Sequence, residues 1–206
     1  MKRSFFAWIL VLLVLLSAVS CGPKEPEVTT PSAGAATLEA VAALAEKSYS
    51  SVRLERTVTT QGVALPSTFT TTAGATEFSI ARLSTLPLEE EDYGTLPDSF
   101  LQTVTGRATF SGDATTVIEC ATEVTLPARS VLRGQLCLAA ANLSNLQLTD
   151  RTLSADVLSP SSLLAGLDMA TGMKIELSFT ADALTGATVT YTTEKASVTL
   201  VYTFTP

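Results

Sequence analysis

The hydrophobic pattern of this chain changes period three times. Phe5 to Leu16 is an unbroken apolar run of twelve residues, preceded by Lys2 and Arg3 and followed by the small residues Ser17, Ala18 and Ser20. The next stretch, "GPKEPEVTTPSAGAA" (residues 22–36), holds three prolines and few large apolar side chains, so it cannot bury enough surface to fold and reads as an extended linker. In "TLEAVAALAEKSYSSV", Leu38, Val41, Ala42, Leu44 and Ala45 recur at spacings of three and four. That spacing predicts a helix capped by Thr37 and ending near Tyr49. From Val52 the period becomes two: Val52, Leu54 and Val58 share one side, and Arg53, Glu55 and Thr57 the other. Arg56 interrupts the apolar row, reaching either a rim, a carboxylate or a ligand.

Short alternating segments follow. Ser67–Ala73 and Glu77–Leu83 flank "AGA" as a hairpin, and Leu101–Phe110 and Thr115–Val124 flank "SGDA" as a second. Between the hairpins, "LPLEEEDYGTLPDS" (residues 86–99) is polar and proline-bracketed, hence a loop. Its Glu89, Glu90, Glu91 and Asp92 could offer oxygens to calcium but lack the spaced ligands of an EF-hand; a solvated acidic turn is the plainer reading. Arg129–Leu146 is ambiguous, with alanines and leucines that suggest a helix around Leu136 to Leu143 and a Gly134 that argues against it. Gln147–Val157 reads as a strand. Ser159–Asp168 reads as a short helix with Pro160 in its first turn and Leu163, Leu164 and Leu167 as its apolar face. The end of the chain alternates most clearly. Met173, Ile175, Leu177 and Phe179, then Ala187, Val189 and Tyr191, then Val198, Leu200, Tyr202 and Phe204 form three amphipathic strands joined by short turns, which makes them antiparallel neighbours. Such strands need an apolar layer over one face.

Composition narrows the function. The chain has no histidine, which removes the commonest neutral-pH general base and metal ligand and with it Ser-His-Asp and Cys-His catalysis. No glycine-rich phosphate loop or nucleophile motif is present, so an enzyme is not expected and no cofactor or metal is implied. The formal charge is −7, and without Lys2 and Arg3 the chain carries 11 basic against 20 acidic residues, or −9. That balance disfavours nucleic acid as a partner. Abundant threonine and few aromatics suit a sheet-rich extracytoplasmic domain.

The N-terminal run has the three-part layout of a secretory signal and is shorter than the about 20 residues of a bilayer span. The motif "AVSC", Ala18 to Cys21, resembles the bacterial lipobox, with Ala18 where leucine is more usual. The resemblance implies that Cys21 becomes the mature N-terminus and carries a diacylglyceryl group; the alternative is an ordinary signal with an incidental cysteine. Two or more acyl chains hold firmly at about 0.8 kcal/mol per buried methylene. The expected organisation is therefore a signal over 1–20, a tether over 21–36 and one domain over 37–206. The expected location is the extracytoplasmic face of the cell membrane. Cys120 and Cys137 are then left as either a disulfide, permitted outside the cytoplasm and stabilising by about 3 kcal/mol, or two buried thiols.

The order of these elements resembles the LolA/LolB and LppX-like lipoprotein-carrier domains. The best-matching stretches are "LEAVAALAEKSYSSVRLERTV", similar to an opening helix and strand, and "DVLSPSSLLAGLDM", similar to a short lid helix. The resemblance implies a mainly β (α+β) fold: a curved antiparallel sheet forming an incomplete barrel, its concave face covered by a few helices. It also implies binding of lipids or acylated molecules rather than catalysis. The chain departs from the family in lacking an evident aromatic-rich or basic way into the cavity. Candidate cleft-lining residues are Ile175, Leu177, Val189, Leu200 and Tyr202, which alternatively form a filled core. The leading expectation is a membrane-anchored module that binds an apolar or lipidic ligand. The alternative is a sensor or scaffold lipoprotein that holds an envelope protein without cargo.

Overall fold

The computed structural model describes residues 36–83, 101–111 and 114–206. Helix α1 (Leu38–Ala45) leads into β1 (Ser51–Thr60), β2 (Val63–Thr71), β3 (Ala75–Leu83), β4 (Leu101–Ser111) and β5 (Ala114–Cys120). Then come α2 (Arg129–Leu132), a 3-10 turn (Ala140–Asn142), β6 (Leu143–Leu148), β7 (Thr152–Val157), α3 (Pro160–Leu163), β8 (Thr171–Phe179), β9 (Leu184–Thr192) and β10 (Ser197–Thr205). The protein is mainly β, with the ten strands in one antiparallel sheet that does not close. The order β5-β4-β3-β2-β1-β10-β9-β8-β7-β6 joins two meanders where the first strand lies beside the last.

The period-two segments form strands because alternate side chains fall on opposite faces, and one face here is buried. In β8, Met173, Ile175, Leu177 and Phe179 are buried while Lys174, Glu176 and Ser178 are exposed. The register carries this face across the sheet. One inward row runs Leu153–Leu177–Ala187–Tyr202–Leu54–Phe69–Phe78 over seven adjacent strands. Val41 and Leu44 of α1, Val131 and Leu132 of α2, and Leu163 and Leu164 at α3 belong to the same apolar cluster as these strand residues. Each such fully buried side chain contributes about 1.5–3 kcal/mol.

Several segments differ from expectation. Helix α1 stops at Ala45, short of Tyr49, although Thr37 caps it as expected, its Oγ1 accepting from the Ala40 amide at 3.2 Å. The early stop frees Tyr49 to pack on Phe204, ring centroids 4.9 Å apart. Its hydroxyl donates to the Leu44 carbonyl and accepts from the Leu184 amide, tying the helix end to β9. The expected strand Gln147–Val157 is instead the end of β6, a turn and β7. A hairpin absent from the sequence expectations joins β1 to β2 through Gln61 and Gly62, both at positive φ as a two-residue turn requires. Pro66 is tolerated in β2 because β3 pairs only from Ser67 onward.

The expected helix Leu136–Leu143 does not form. Helix α2 lies ahead of Gly134, not after it. Gly134, at φ 59°, is the left-handed residue that ends the helix: its amide donates to Val131 and that of Gln135 to Ser130. Beyond it the chain runs extended as a strap. Leu136 and Leu138 point inward, Gln135, Cys137 and Ala139 outward, and the Cys137 amide donates to the Leu163 carbonyl at 2.8 Å. Arg129 and Arg133 donate to carbonyls of the β2–β3 turn, and the Ser130 hydroxyl donates to the Ala165 carbonyl at 2.9 Å. Helix α2, the strap and the segment after α3 are thus bound to one another and to the β2–β3 turn. Helix α3 is a single turn rather than the longer helix expected over Ser159–Asp168.

A candidate apolar cavity

A cavity of about 430 Å³ opens between the sheet and these non-strand segments. Its sheet side is made by Arg56 of β1, Tyr191 of β9 and Leu200 of β10. One wall comes from Leu126, Pro127 and Val131 at α2, the other from Leu167, Met169 and Ala170 after α3. The strands place the sheet residues by register, since Arg56 stands opposite Leu200 and Tyr191 opposite Val198. The walls are held by the Ser130–Ala165 and Cys137–Leu163 bonds, and by Asn142, which grips Ser159 at the start of α3.

Polar groups converge on the sheet side. Burial holds the Tyr191 phenol above its ordinary value of 10.0, and the Arg56 charge opposes the shift. Tyr202 is pushed up further, first by burial and then by neighbouring Tyr191, with Arg56 again acting downward. Its hydroxyl is buried without a hydrogen-bond partner among the described residues. Asp168, exposed, is the carboxylate at the rim.

Of the five expected lining residues, Leu200 reaches the cavity. Ile175, Leu177, Val189 and Tyr202 are instead at most 1% exposed and belong to the filled core. Their inward direction is as expected, but of the five only Leu200 borders the cavity. The residues missed, Leu126, Val131 and Met169, lie in segments with no alternation to flag them. Tyr191 was inward by period two but not singled out.

A second cavity of about 310 Å³ lies between the end of α1, Val52 and the strap, lined by Lys47, Arg133 and Cys137 among others. Cys120 and Cys137 form neither the disulfide nor the pair of buried thiols expected: both are free, Cys120 half-buried and Cys137 exposed. Cys120 ends β5, its thiol donating to the Thr122 carbonyl, while the strap turns Cys137 outward because Leu136 and Leu138 face in. Cys21, residues 22–35 of the expected tether and the acidic run Glu89–Asp92 lie outside the described residues. Among the described residues no helix is long and apolar enough to cross a membrane, and no group of three or more His, Cys, Asp or Glu side chains is placed to hold a metal. Compared with known proteins, the chain matches no protein-family model and no curated protein.

Proposed function

We propose that this chain is an extracytoplasmic lipoprotein, anchored to the cell membrane through Cys21, that binds an apolar or lipidic ligand between an incomplete β-barrel and the helices over its concave face, as LolA-like carriers do. The observation that carries the reading is the 430 Å³ cavity, which is ligand-sized and walled largely by apolar side chains with a few convergent polar groups. Catalysis forms no part of the proposal, because the polar side chains lining the cavity are those of Arg56, Thr125, Asp168, Tyr191 and Thr193, and no hydrogen bond joins any two of them as a nucleophile–base pair. Anchoring rests on the lipobox-like Ala18–Cys21 and the apolar run before it.

Lipid extraction and mass spectrometry of the full chain purified from membranes test the binding. About one lipid per chain is expected, reduced several-fold by Thr125→Trp at an exposed position of the cavity wall. No co-purifying lipid, or an amount indifferent to Thr125→Trp, overturns the carrier reading. A sensor or scaffold role toward an envelope protein draws on Leu158 and Met169, which are 65% and 71% exposed on either side of α3. It becomes the reading to adopt if the cavity proves empty.

A further inference from the structure

The register places one charge in the middle of an apolar row. Across eight adjacent strands the inward residues run Ala155–Ile175–Val189–Leu200–Arg56–Ser67–Ile80–Val104. Arg56 is the only ionisable member, and its neighbour in the row, Ser67, is the only other polar one. Along its own strand it lies between inward-facing Leu54 and Val58. Arg56 is half-buried, so its guanidinium gives up part of its hydration at this position and gains from an anionic partner. Among the described residues no hydrogen bond or ion pair engages it, and the ion pairs found there involve Arg53 and Lys174 instead. Arg56 instead borders the 430 Å³ cavity, beside Tyr191 and within electrostatic reach of the buried, unpartnered Tyr202 hydroxyl.

We infer that Arg56 is the headgroup site of the cavity, and that the ligand is an amphiphile whose acyl chain fills the apolar part while its carboxylate or phosphate oxygens pair with the guanidinium. The inference rests on the cavity being a ligand site, and adds the chemical class. A planar guanidinium binds either anion through two parallel hydrogen bonds, and the phenols are donors of the same polarity. An aliphatic alcohol or a neutral ester offers no anion and leaves the arginine unpaired. Asp168, exposed and also lining the cavity, repels an anion beside it and so favours a ligand whose charge sits at Arg56.

Photocrosslinking of the full chain in its membrane tests this with three probes of equal chain length carrying a diazirine: a fatty acid, a fatty alcohol and a lysophosphatidic acid. Labelled residues are mapped by mass spectrometry. The acid and the phosphate should label the Leu126, Met169 and Leu200 region about 10- to 100-fold better than the alcohol, the ratio a charge-assisted hydrogen bond supplies. If only one anion labels well, that assigns the headgroup. Arg56→Gln should bring the anionic probes down to the alcohol's level and leave the alcohol unchanged, whereas Arg56→Lys should retain part of the preference. Equal labelling by acid and alcohol in the unmodified protein overturns the headgroup assignment and leaves the cavity reading standing; this comparison needs no variant and so survives a folding defect in Arg56→Gln. Absence of cavity labelling by all three probes overturns both. Competition by millimolar inorganic phosphate alone would show a simple anion site and overturn the amphiphile.

Discussion

Asn142 holds Ser159 by both of its polar side-chain atoms. Its Nδ2 donates to the Ser159 carbonyl at 3.0 Å and its Oδ1 accepts from the Ser159 amide at 2.6 Å, while its own carbonyl accepts from the Leu158 amide at 2.9 Å. The residue is buried, so this fork is the anchor of α3 and of the cavity wall that follows it. Asn142→Ala orphans two backbone groups and should cost about 2–3 kcal/mol in chemical denaturation. Hydrogen exchange should accelerate at Leu158–Leu164 before the central strands. Uniform acceleration across the sheet would show that the fork supports the whole fold and not this wall.

Gly134 adopts a left-handed conformation, and a Cβ there would lie 3.0 Å from the Phe204 ring and 3.0 Å from Tyr202. Gly134→Ala therefore meets both backbone strain and crowding, and should destabilise by about 1–3 kcal/mol. A melting temperature unchanged from that of the unmodified protein would contradict the placement of the strap against β10.

Both described cysteines should react as thiols in the native protein, Cys137 faster because it is exposed and Cys120 more slowly because it is half-buried. Alkylation without prior reduction, followed by peptide mass spectrometry, measures this. Full protection of both until reductant is added would restore the disulfide that the sequence allowed.

Tyr49, Tyr191 and Tyr202 all have phenols raised above 10.0, in each case chiefly by burial. The unfolded chain ionises these groups first, so above pH 10 it binds fewer protons than the folded protein. Stability is then linked to fall as pH rises. Their contribution is complete below pH 10 and is lost progressively above it. Denaturation midpoints should be flat with respect to these groups in mild alkali and drop beyond pH 10, with phenolate absorbance rising in step with unfolding. Phenolate appearing well before any loss of structure would place these hydroxyls in water.

Cys21→Ala should move the protein from the membrane fraction to the soluble one, because no other segment of the chain supplies about 18 consecutive apolar residues. Unchanged membrane association would mean that Cys21 carries no lipid anchor.

Legibility in the sequence followed the type of packing. Strands β8, β9 and β10 were readable because each buries one face and solvates the other, so Ile175, Val189 and Leu200 announce their direction by period alone. The strap was not. Leu136 and Leu138 alternate over too few residues, among alanines that favour a helix, and what keeps them extended is the Gly134 turn and a bond to Leu163, 26 positions away. Cysteine parity leaves Cys137 either a disulfide partner or a buried thiol, and its outward direction, which excludes the second, follows from that same strap.

The chain's own pattern determined that a sheet forms, which side chains face inward, and that Arg56 stands among them, since a two-residue period leaves a side chain no third direction. Tertiary structure decided what Arg56 meets there. Residues 125–131 and 166–170, distant in sequence from β1 and held by Ser130 and Asn142, line one cavity together with Arg56, Tyr191 and Leu200. No local periodicity encodes that space, because it is a difference between the volumes of segments that only the folded chain brings together.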